Sequence, residues 1–203
     1  MKIICIGRNY ADHAKEMKSE LPTEPIFFMK PDTALVKEGS DIYLPDFSQE
    51  VHFECELVVK INKAGKFIQK EFAKNYYSEI SLGLDLTARD LQTKCKDKGL
   101  PWEIAKAFDN SAPISSQWIN VSDVNLTELN FQFFQNGELK QNGFIKDMIF
   151  SIDELISYVS QFVTLKTGDL LYTGTPAGVG QINIGDQLQA TLNGNKIFEF
   201  SVK

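Results

Sequence analysis

The sequence predicts a mixed α/β protein that is mostly β, built as a β-roll or sandwich with a few peripheral helices. Strand patterns recur along the whole chain, two Asn-Gly dipeptides join strand candidates as tight hairpins, and helical patterns are few and short. A parallel α/β layout would instead alternate its strands with longer helices. A sandwich or a rolled sheet therefore agrees better with the pattern.

Composition indicates one folded unit and excludes several classes of partner. A chain of 203 residues with 43% hydrophobic residues can bury a core without disulfides or a structural metal, and no linker or repeat divides residues 1–203. The formal net charge of −6 disfavours nucleic acid, and no window has the ~20 apolar residues of a membrane span. Cys5, Cys55 and Cys95 form no CxxC pair, which predicts reduced thiols in a cytoplasmic protein.

The first quarter of the chain carries short strand candidates and one short helix. Residues 3–6 form an apolar strand, residues 11–20 form one or two helical turns, and residues 25–36 are extended with a break at Pro31. Residues 41–44 are a further strand candidate. Because residues 11–20 offer little apolar surface for packing, we expect this segment to be mobile in the absence of a ligand.

The clearest strand of the chain covers residues 51–61, where every odd-numbered position is apolar. A second apolar run at residues 80–86 leads into a helix predicted over residues 87–98, which Gly99 and Pro101 terminate. We interpret the run at residues 80–86 as a central strand that gives way to this helix.

Hairpin and capping signals define the C-terminal half. Asn136-Gly137 joins two strand candidates, and Asn193-Gly194 joins residues 187–192 to residues 196–202. Residues 169–173 are a further strand candidate. Between the first hairpin and residues 169–173, the segment Ser151-Ile152-Asp153-Glu154 is a capping box that begins a helix. The apolar side of that helix comprises Ile152, Leu155, Ile156, Val159 and Phe162.

Three carboxylates are candidates for a metal site. Glu54 and Glu56 are two apart on a strand, so they share one face with Cα atoms about 6.5 Å apart. Asp85 ends an apolar run where a strand gives way to a helix. The alternatives are an ordinary polar strand face for the glutamates and a helix cap for Asp85. Three oxygen ligands without a Cys or His cluster suit Mg²⁺ or Mn²⁺ rather than Zn²⁺, and they leave coordination positions open for substrate.

Polar side chains that follow Asp85 are candidates for binding an anion. Arg89 and Gln92 are three apart on the predicted helix, and Lys106 is the cation of a mostly apolar stretch. Each of them alone would be an ordinary surface residue. Together beside a metal ion they favour a small anionic substrate, despite the acidic net charge of the chain.

Two further patterns bear on chemistry. His13 and Glu16 are three apart in a helical stretch, so the carboxylate can orient the imidazole as a general acid or base; an exposed histidine is the alternative. His52 shares a face with the two glutamates, and we favour a structural role for it. The glycine-rich segment 174–180 lacks GxxxxGK[ST], so we interpret it as a tight loop after a strand in which Thr175 offers a hydroxyl.

Taken together, these segments resemble the fumarylacetoacetate hydrolase family, and within it a short branch of acylpyruvate hydrolases and oxaloacetate decarboxylases. The resemblance runs from about residue 3 to the C-terminus in the order of the family's motifs. The segments that carry it are Gly7-Arg8-Asn9-Tyr10-Ala11-Asp12-His13, Glu54-Cys55-Glu56, Leu84-Asp85-Leu86-Thr87-Ala88-Arg89-Asp90, Lys106, and Thr173-Gly174-Thr175-Pro176-Ala177-Gly178-Val179-Gly180.

The resemblance implies a fold and a set of site residues. The fold is the β-roll of the fumarylacetoacetate hydrolase C-terminal domain, usually as a homodimer, and His13 and Glu16 lie on a lid that orders when ligand binds. Mg²⁺ or Mn²⁺ is held by positions matching Glu54, Glu56 and Asp85. Catalysis is assigned to His13, Glu16 and Lys106, and contacts to the substrate are assigned to Arg89, Gln92, Lys106 and Thr175.

We therefore expect a metal-dependent hydrolase or lyase that cleaves a C–C bond of small 2-oxo acids. Acylpyruvate hydrolysis, oxaloacetate decarboxylation or both would proceed through a pyruvate enolate. An isomerase or tautomerase of a 2-oxo or 2-hydroxydienoic acid would use the same site, and the sequence leaves this alternative open. A binding module without turnover is disfavoured because simple binding needs no base such as His13.

Overall fold

The computed structural model describes residues 1–203, and strands make up most of its regular structure, as the sequence predicts. The strands are β1 Ile3–Gly7, β2 Ile26–Lys30, β3 Leu35–Lys37, β4 Val51–Phe53, β5 Cys55–Ile61, β6 Tyr77–Leu84, β7 Thr87–Ala88, β8 Ala112–Ile114, β9 Ile119–Asn120, β10 Asn130–Gln135, β11 Glu138–Phe144, β12 Leu170–Tyr172, β13 Gly180–Gln181, β14 Gln187–Leu192 and β15 Asn195–Ser201. The α-helices are α1 Ala11–Glu16, α2 Arg89–Lys98, α3 Glu103–Lys106 and α4 Ile152–Phe162. Short 3-10 turns cover Asp32–Ala34, Lys70–Asn75, Val121–Asp123, Leu126–Glu128 and Ile145–Asp147.

Three sheets form the architecture. The large sheet has eight strands in the order β2-β1-β12-β5-β6-β8-β3, with β9 added beside β6. Most of its pairs are antiparallel, and β1–β12 and β3–β8 are parallel. A four-stranded sheet has the order β11-β10-β14-β15, and a small sheet joins β13, β4 and β7. None of the helices is long and apolar enough to cross a membrane.

The large sheet is buried on both faces. Alternate residues of its strands enter two different apolar clusters: Leu57 and Val59 belong to a cluster of 35 residues, whereas Val58 belongs to a cluster of eight. Because both sides of β5 are covered, the even-numbered positions Glu56 and Val58 are also buried, whereas Lys60 is half-exposed. Glu56 is only 1% exposed, so its carboxylate lies inside the protein.

The turn and cap signals of the C-terminal half are confirmed. Asn136 and Gly137 both have positive φ values, 53° and 78°, as do Asn193 and Gly194, 49° and 79°, which is the geometry of a two-residue hairpin turn. Ser151 caps α4 in a complete capping box with Glu154.

Three details of the predicted elements are wrong. Residues 41–44 form no strand, because Ile42 makes a single bridge to Val202 before Pro45 ends the pairing. The 51–61 strand is interrupted at Glu54, where the chain passes from the small sheet to the large one. The second helix begins at Arg89 rather than at residue 87, because residues 87–88 pair with β4 instead.

All three cysteines are buried and free. Burial raises the pKa of the Cys5 and Cys55 thiols well above its usual value, so these two thiols stay protonated and pack as small apolar groups.

Candidate active site

The three candidate carboxylates lie together where β5 begins and β6 ends. The antiparallel register pairs Cys55 with Leu84, and the backbone N–H of Asp85 donates to the carbonyl of Glu54 at 2.8 Å. This register places Asp85 beside the interruption at Glu54. One oxygen from each of Glu54, Glu56 and Asp85 lies within 4.8 Å of the others, and all three residues are buried. The structure therefore brings together the acidic residues that the sequence selects, and Asp85 does not cap α2, whose N-cap is Ala88.

Two of the predicted cations neutralise part of this acidic cluster. Arg89 donates to Glu54 Oε1 at 2.6 Å, and Lys106 Nζ lies 2.8 Å from both Glu54 Oε2 and Asp85 Oδ2. Burial alone would raise the pKa of Glu54, but Lys106 and Arg89 hold it well below its usual value. Gln92 accepts a hydrogen bond from Arg89 at 2.6 Å and so fixes the guanidinium. In the protein alone, both cations are thus bound to carboxylates of the cluster.

Sequence reasoning missed a third cation, Lys30, at the end of β2. Its side chain is fully buried, its Nζ lies 2.8 Å from Asp85 Oδ1, and it donates to the carbonyls of Leu86, Lys106 and Ser111. These acceptors belong to three separate segments. Lys30 therefore connects the edge strand of the large sheet to Asp85 and to the end of α3 that carries Lys106. In the sequence, Lys30 is visible only as a lysine that ends an otherwise apolar strand before Pro31. This pattern does not indicate that Lys30 binds Asp85 or the three carbonyls.

Glu56 is the carboxylate of the cluster without a cation. Its Oε2 accepts a hydrogen bond of 2.7 Å from the Gly174 N–H, and no lysine or arginine forms an ion pair with it. Burial, followed by the negative charges of Asp85 and Glu54, raises the pKa of Glu56 well above its usual value. Ionised Glu56 therefore has no positive charge in the protein to balance its own. The oxygen donors, their separation and the uncompensated Glu56 fit a divalent cation such as Mg²⁺ or Mn²⁺.

His13 lies over the same site on α1. Its Nδ1 is 3.2 Å from Glu16 Oε2, and Glu16 in turn accepts a hydrogen bond of 3.0 Å from the Gly178 N–H. His13 is only 6% exposed. The glycine-rich loop therefore ties α1 down over the site, in the closed position expected of a lid; the mobility of residues 11–20 stays a prediction.

Two backbone amides of the glycine-rich loop donate to carboxylates of the site. Gly174 donates to Glu56 and Gly178 donates to Glu16. Gly178 has φ of 98°, and a Cβ there would lie 2.1 Å from the Lys140 carbonyl oxygen, so only glycine fits. The Thr175 hydroxyl donates to the Cys55 carbonyl at 2.8 Å.

Gln141 of β11 is a second residue that sequence reasoning missed. It is 1% exposed, accepts from the Cys55 N–H at 2.9 Å and donates to the Thr175 hydroxyl at 2.7 Å. The strand interruption at Glu54 leaves the Cys55 N–H to be paired in this way. Gln141 thus holds the four-stranded sheet to the start of β5.

These side chains line one partly open cavity. All of the predicted site residues line it except Glu16 and Asp85, which lie behind the lining, and the remaining walls include Arg8, Lys96 and Trp102. His52 is outside the lining and pairs with Glu50 at 3.3 Å, in agreement with a structural role. His13, the cations Arg89 and Lys106, and two carboxylates of the acidic cluster therefore line the same cavity.

Comparison with known proteins identifies the family. The family model described as fumarylacetoacetate (FAA) hydrolase C-terminal matches residues 2–203. The chain belongs to the fumarylacetoacetate hydrolase family. This agrees with the resemblance seen in the motifs and with the mostly β fold.

Proteins with named activities are similar to this chain over almost its whole length. The mitochondrial oxaloacetate tautomerase FAHD1 of Mus musculus is 45% identical over 201 residues, which are 99% of this chain and 91% of the relative. The fumarylpyruvate hydrolase of Pseudomonas aeruginosa, solved with Mn²⁺ and pyruvate, is 39% identical with a TM-score of 0.91, over 100% of this chain and 88% of that one. The 2-hydroxyhepta-2,4-diene-1,7-dioate isomerase of Mycobacterium marinum is 34% identical with a TM-score of 0.85, over 99% of this chain and 73% of that one.

Replacing Lys30 tests its role as a buried connector. Lys30→Met keeps the aliphatic stem but leaves three buried carbonyls without their donor and Asp85 Oδ1 without its ion-pair partner, so we expect a loss of about 3 kcal/mol or more in the free energy of unfolding. Urea unfolding of the metal-free protein measures this loss. Lys60→Met is the matched control, because it breaks a half-exposed ion pair with Glu79 that should contribute about 1 kcal/mol or less. Equal stability of the two variants would contradict the assigned role.

Proposed function

We propose that this protein is a divalent-metal-dependent enzyme that acts on small 2-oxo acids through an enolate at C3, with oxaloacetate as the first candidate substrate. The observation that supports this most strongly is the buried cluster of Glu54, Glu56 and Asp85, of which Glu54 and Glu56 line the same cavity as His13. An acidic cluster with a base above it suits a reaction in which negative charge develops on substrate oxygen while a proton moves.

Glu54, Glu56 and Asp85 are the residues that would hold the metal ion. Mg²⁺ or Mn²⁺ bound there would supply Lewis-acid stabilisation of the negative charge on the substrate's 2-oxo oxygen. The protein's own cations complement this charge. Burial by itself would lower the pKa of Lys106, but Asp85 and Glu54 raise it above its usual value, so the ammonium stays charged beside the substrate.

Arg89 and Gln92 orient the carboxylate end of the substrate. The Arg89 guanidinium is held by Glu54 and Gln92, and its Nε–H is buried without a partner in the protein. A buried donor of this kind favours an acceptor brought by the ligand. Thr175 also lines the cavity.

His13 is the group that moves the proton. Because Nδ1 faces Glu16, the Nε2 atom is left to exchange a proton with the substrate or with water. In tautomerisation His13 would transfer the proton at C3 of the 2-oxo acid. In acylpyruvate hydrolysis it would take a proton from the water that attacks the C4 carbonyl, and the C3–C4 electron pair would remain on C3 as the enolate. Decarboxylation of oxaloacetate reaches the same enolate without water.

The comparisons favour tautomerisation first and cleavage second. The relative of 45% identity is named for oxaloacetate tautomerase activity, whereas the P. aeruginosa neighbour is a fumarylpyruvate hydrolase. Product analysis separates these outcomes: an intact carbon skeleton means tautomerisation, whereas pyruvate with an acid or with CO₂ means cleavage.

Metal removal tests the proposal directly. With enol oxaloacetate and with acetylpyruvate as substrates, Mg²⁺ or Mn²⁺ should support turnover, and chelation should lower the rate by at least about a hundredfold, because stabilisation of the charge on the substrate oxygen is lost. Restoring the ion should restore the rate. Undiminished turnover after chelation would remove the proposed role of the acidic cluster.

A further inference from the structure

Two cations of the cavity wall have no carboxylate partner in the protein. Arg8 follows β1 and is half-buried, and Lys96 lies in the last turn of α2; both line the cavity that holds the acidic cluster. Neither side chain makes a hydrogen bond or an ion pair, and Lys96 Nζ contacts only the face of Trp102, 5.7 Å from its ring centroid. Both charges are therefore free to meet an anion inside the cavity.

The other cations near the acidic cluster already form ion pairs with its carboxylates. Arg89 and Lys106 bind Glu54, and Lys106 and Lys30 bind Asp85, so these three cations neutralise carboxylates of the acidic cluster. Arg8 and Lys96 are extra positive charges in a chain whose formal net charge is −6. Burial, Arg89 and Arg8 together lower the pKa of Lys96, which indicates mutual repulsion among the cations. An anionic ligand would remove that repulsion.

The backbone holds Arg8 in its position. Arg8 has φ of 60°, a left-handed conformation that non-glycine residues rarely adopt and that is concentrated at functional sites. The next residue, Asn9, is fully buried, and its side chain binds the Phe150 backbone and the Thr173 carbonyl. This clamp fixes the chain on the C-terminal side of Arg8 and so sustains the strained conformation.

Helix α2 presents Lys96 farther along the cavity than the predicted substrate-binding residues. Arg89, Gln92 and Lys96 are spaced i, i+3 and i+7, so they share one side of the helix, and all three line the cavity. Seven residues advance an α-helix by about 10 Å. A ligand whose carboxylate lies near Arg89 would therefore direct its other end toward Lys96, whose long side chain can fold back to meet it.

We propose that Arg8 and Lys96 form a second carboxylate subsite, so that the preferred substrates are 2-oxo acids with another carboxylate at the end remote from the 2-oxo group. This inference rests on the proposed function, because the proposed 2-oxo acid site defines which end of the ligand is remote. Oxaloacetate already belongs to this class, and the inference adds the two residues that distinguish dicarboxylic from monocarboxylic 2-oxo acids.

A pair of unreactive probes tests the subsite. N-oxalylglycine and N-ethyloxamate share the oxalyl end, but only the first carries a remote carboxylate. In the presence of Mn²⁺, calorimetry on the wild-type protein should show N-oxalylglycine binding at least about tenfold more tightly, as expected for charge-assisted hydrogen bonds. Arg8→Gln and Lys96→Gln should each remove roughly tenfold of that affinity and leave N-ethyloxamate binding unchanged.

Lys98→Gln is the matched control. It removes the same charge from the same helix, and both lysines are exposed, but Lys98 does not line the cavity, so both probes should bind this variant as they bind the wild type. Thermal unfolding checks that each variant is folded, and the independent Lys96 variant keeps the test decisive if Arg8→Gln does not fold. Equal loss of both probes, or no loss of N-oxalylglycine in Lys96→Gln, would overturn the subsite. Binding of both probes without any dependence on Mn²⁺ would instead count against the proposed function.

Discussion

Glu56→Gln is expected to abolish divalent-metal binding while making the metal-free protein more stable. Glu56 is buried beside two other carboxylates and has one backbone donor but no cation. A neutral amide of the same shape can still accept the Gly174 hydrogen bond and carries no charge to repel Glu54 and Asp85. We expect Mn²⁺ affinity to fall by at least about a hundredfold and the free energy of unfolding to rise by about 1–3 kcal/mol.

Glu54→Gln is the control with the opposite expected sign. Glu54 binds Arg89 and Lys106, so removing its charge weakens two buried ion pairs and should cost about 3 kcal/mol or more. Mn²⁺ titration calorimetry and thermal unfolding in a chelator measure both quantities for both variants. A stabilising Glu54→Gln, or a destabilising Glu56→Gln, would contradict the charge distribution described for the cluster. Unchanged Mn²⁺ affinity in both variants would show that the carboxylates hold no metal.

His13→Ala is expected to lower kcat on oxaloacetate by about 10²–10⁴-fold, the usual contribution of a positioned general acid or base. The imidazole lies on α1 and is not within the acidic cluster, so Mn²⁺ affinity should stay near its wild-type value. Steady-state kinetics with saturating Mn²⁺, together with Mn²⁺ calorimetry, separates loss of the base from loss of the metal.

Two variants of α1 sharpen this experiment. Glu16→Gln keeps an acceptor for the Gly178 N–H but removes the charge that orients His13, so a smaller loss of about 10–100-fold is expected. Lys15→Ala changes an exposed residue of the same helix and should leave kcat unchanged. Full activity of His13→Ala would reassign the proton transfer to another group of the cavity.

The acidic cluster could be predicted from the sequence because local rules place its members. Two-residue spacing puts Glu54 and Glu56 on one strand face, and Asp85 ends the next apolar run. The distances between the three carboxylates depend on the register of β5 against β6, which the sequence does not give. The interruption of the strand at Glu54 was also not visible in the alternation of apolar residues. The homodimer implied by the family resemblance stays a prediction.

The charge partners of the cluster could not be predicted. Lys30 lies on the edge strand β2, far from Asp85 in the chain, and reaches it only because the large sheet curls so that β2 lies beside the end of β6. Gln141 reaches Cys55 from a different sheet. Arg8 follows β1 and Lys96 lies on α2, yet both line the same cavity. Such contacts depend on packing between distant segments, for which the sequence has no local signal.

The sequence by itself determined the mostly β fold class, both Asn-Gly hairpins, the capping box of α4 and the identity of the acidic residues, because each follows from short-range backbone geometry or from spacing along one element. Only the tertiary structure decided which carboxylates are neutralised and which is not. That decision depends on burial and on ion pairs between segments far apart in the chain, where a few ångströms determine whether a buried charge has a partner.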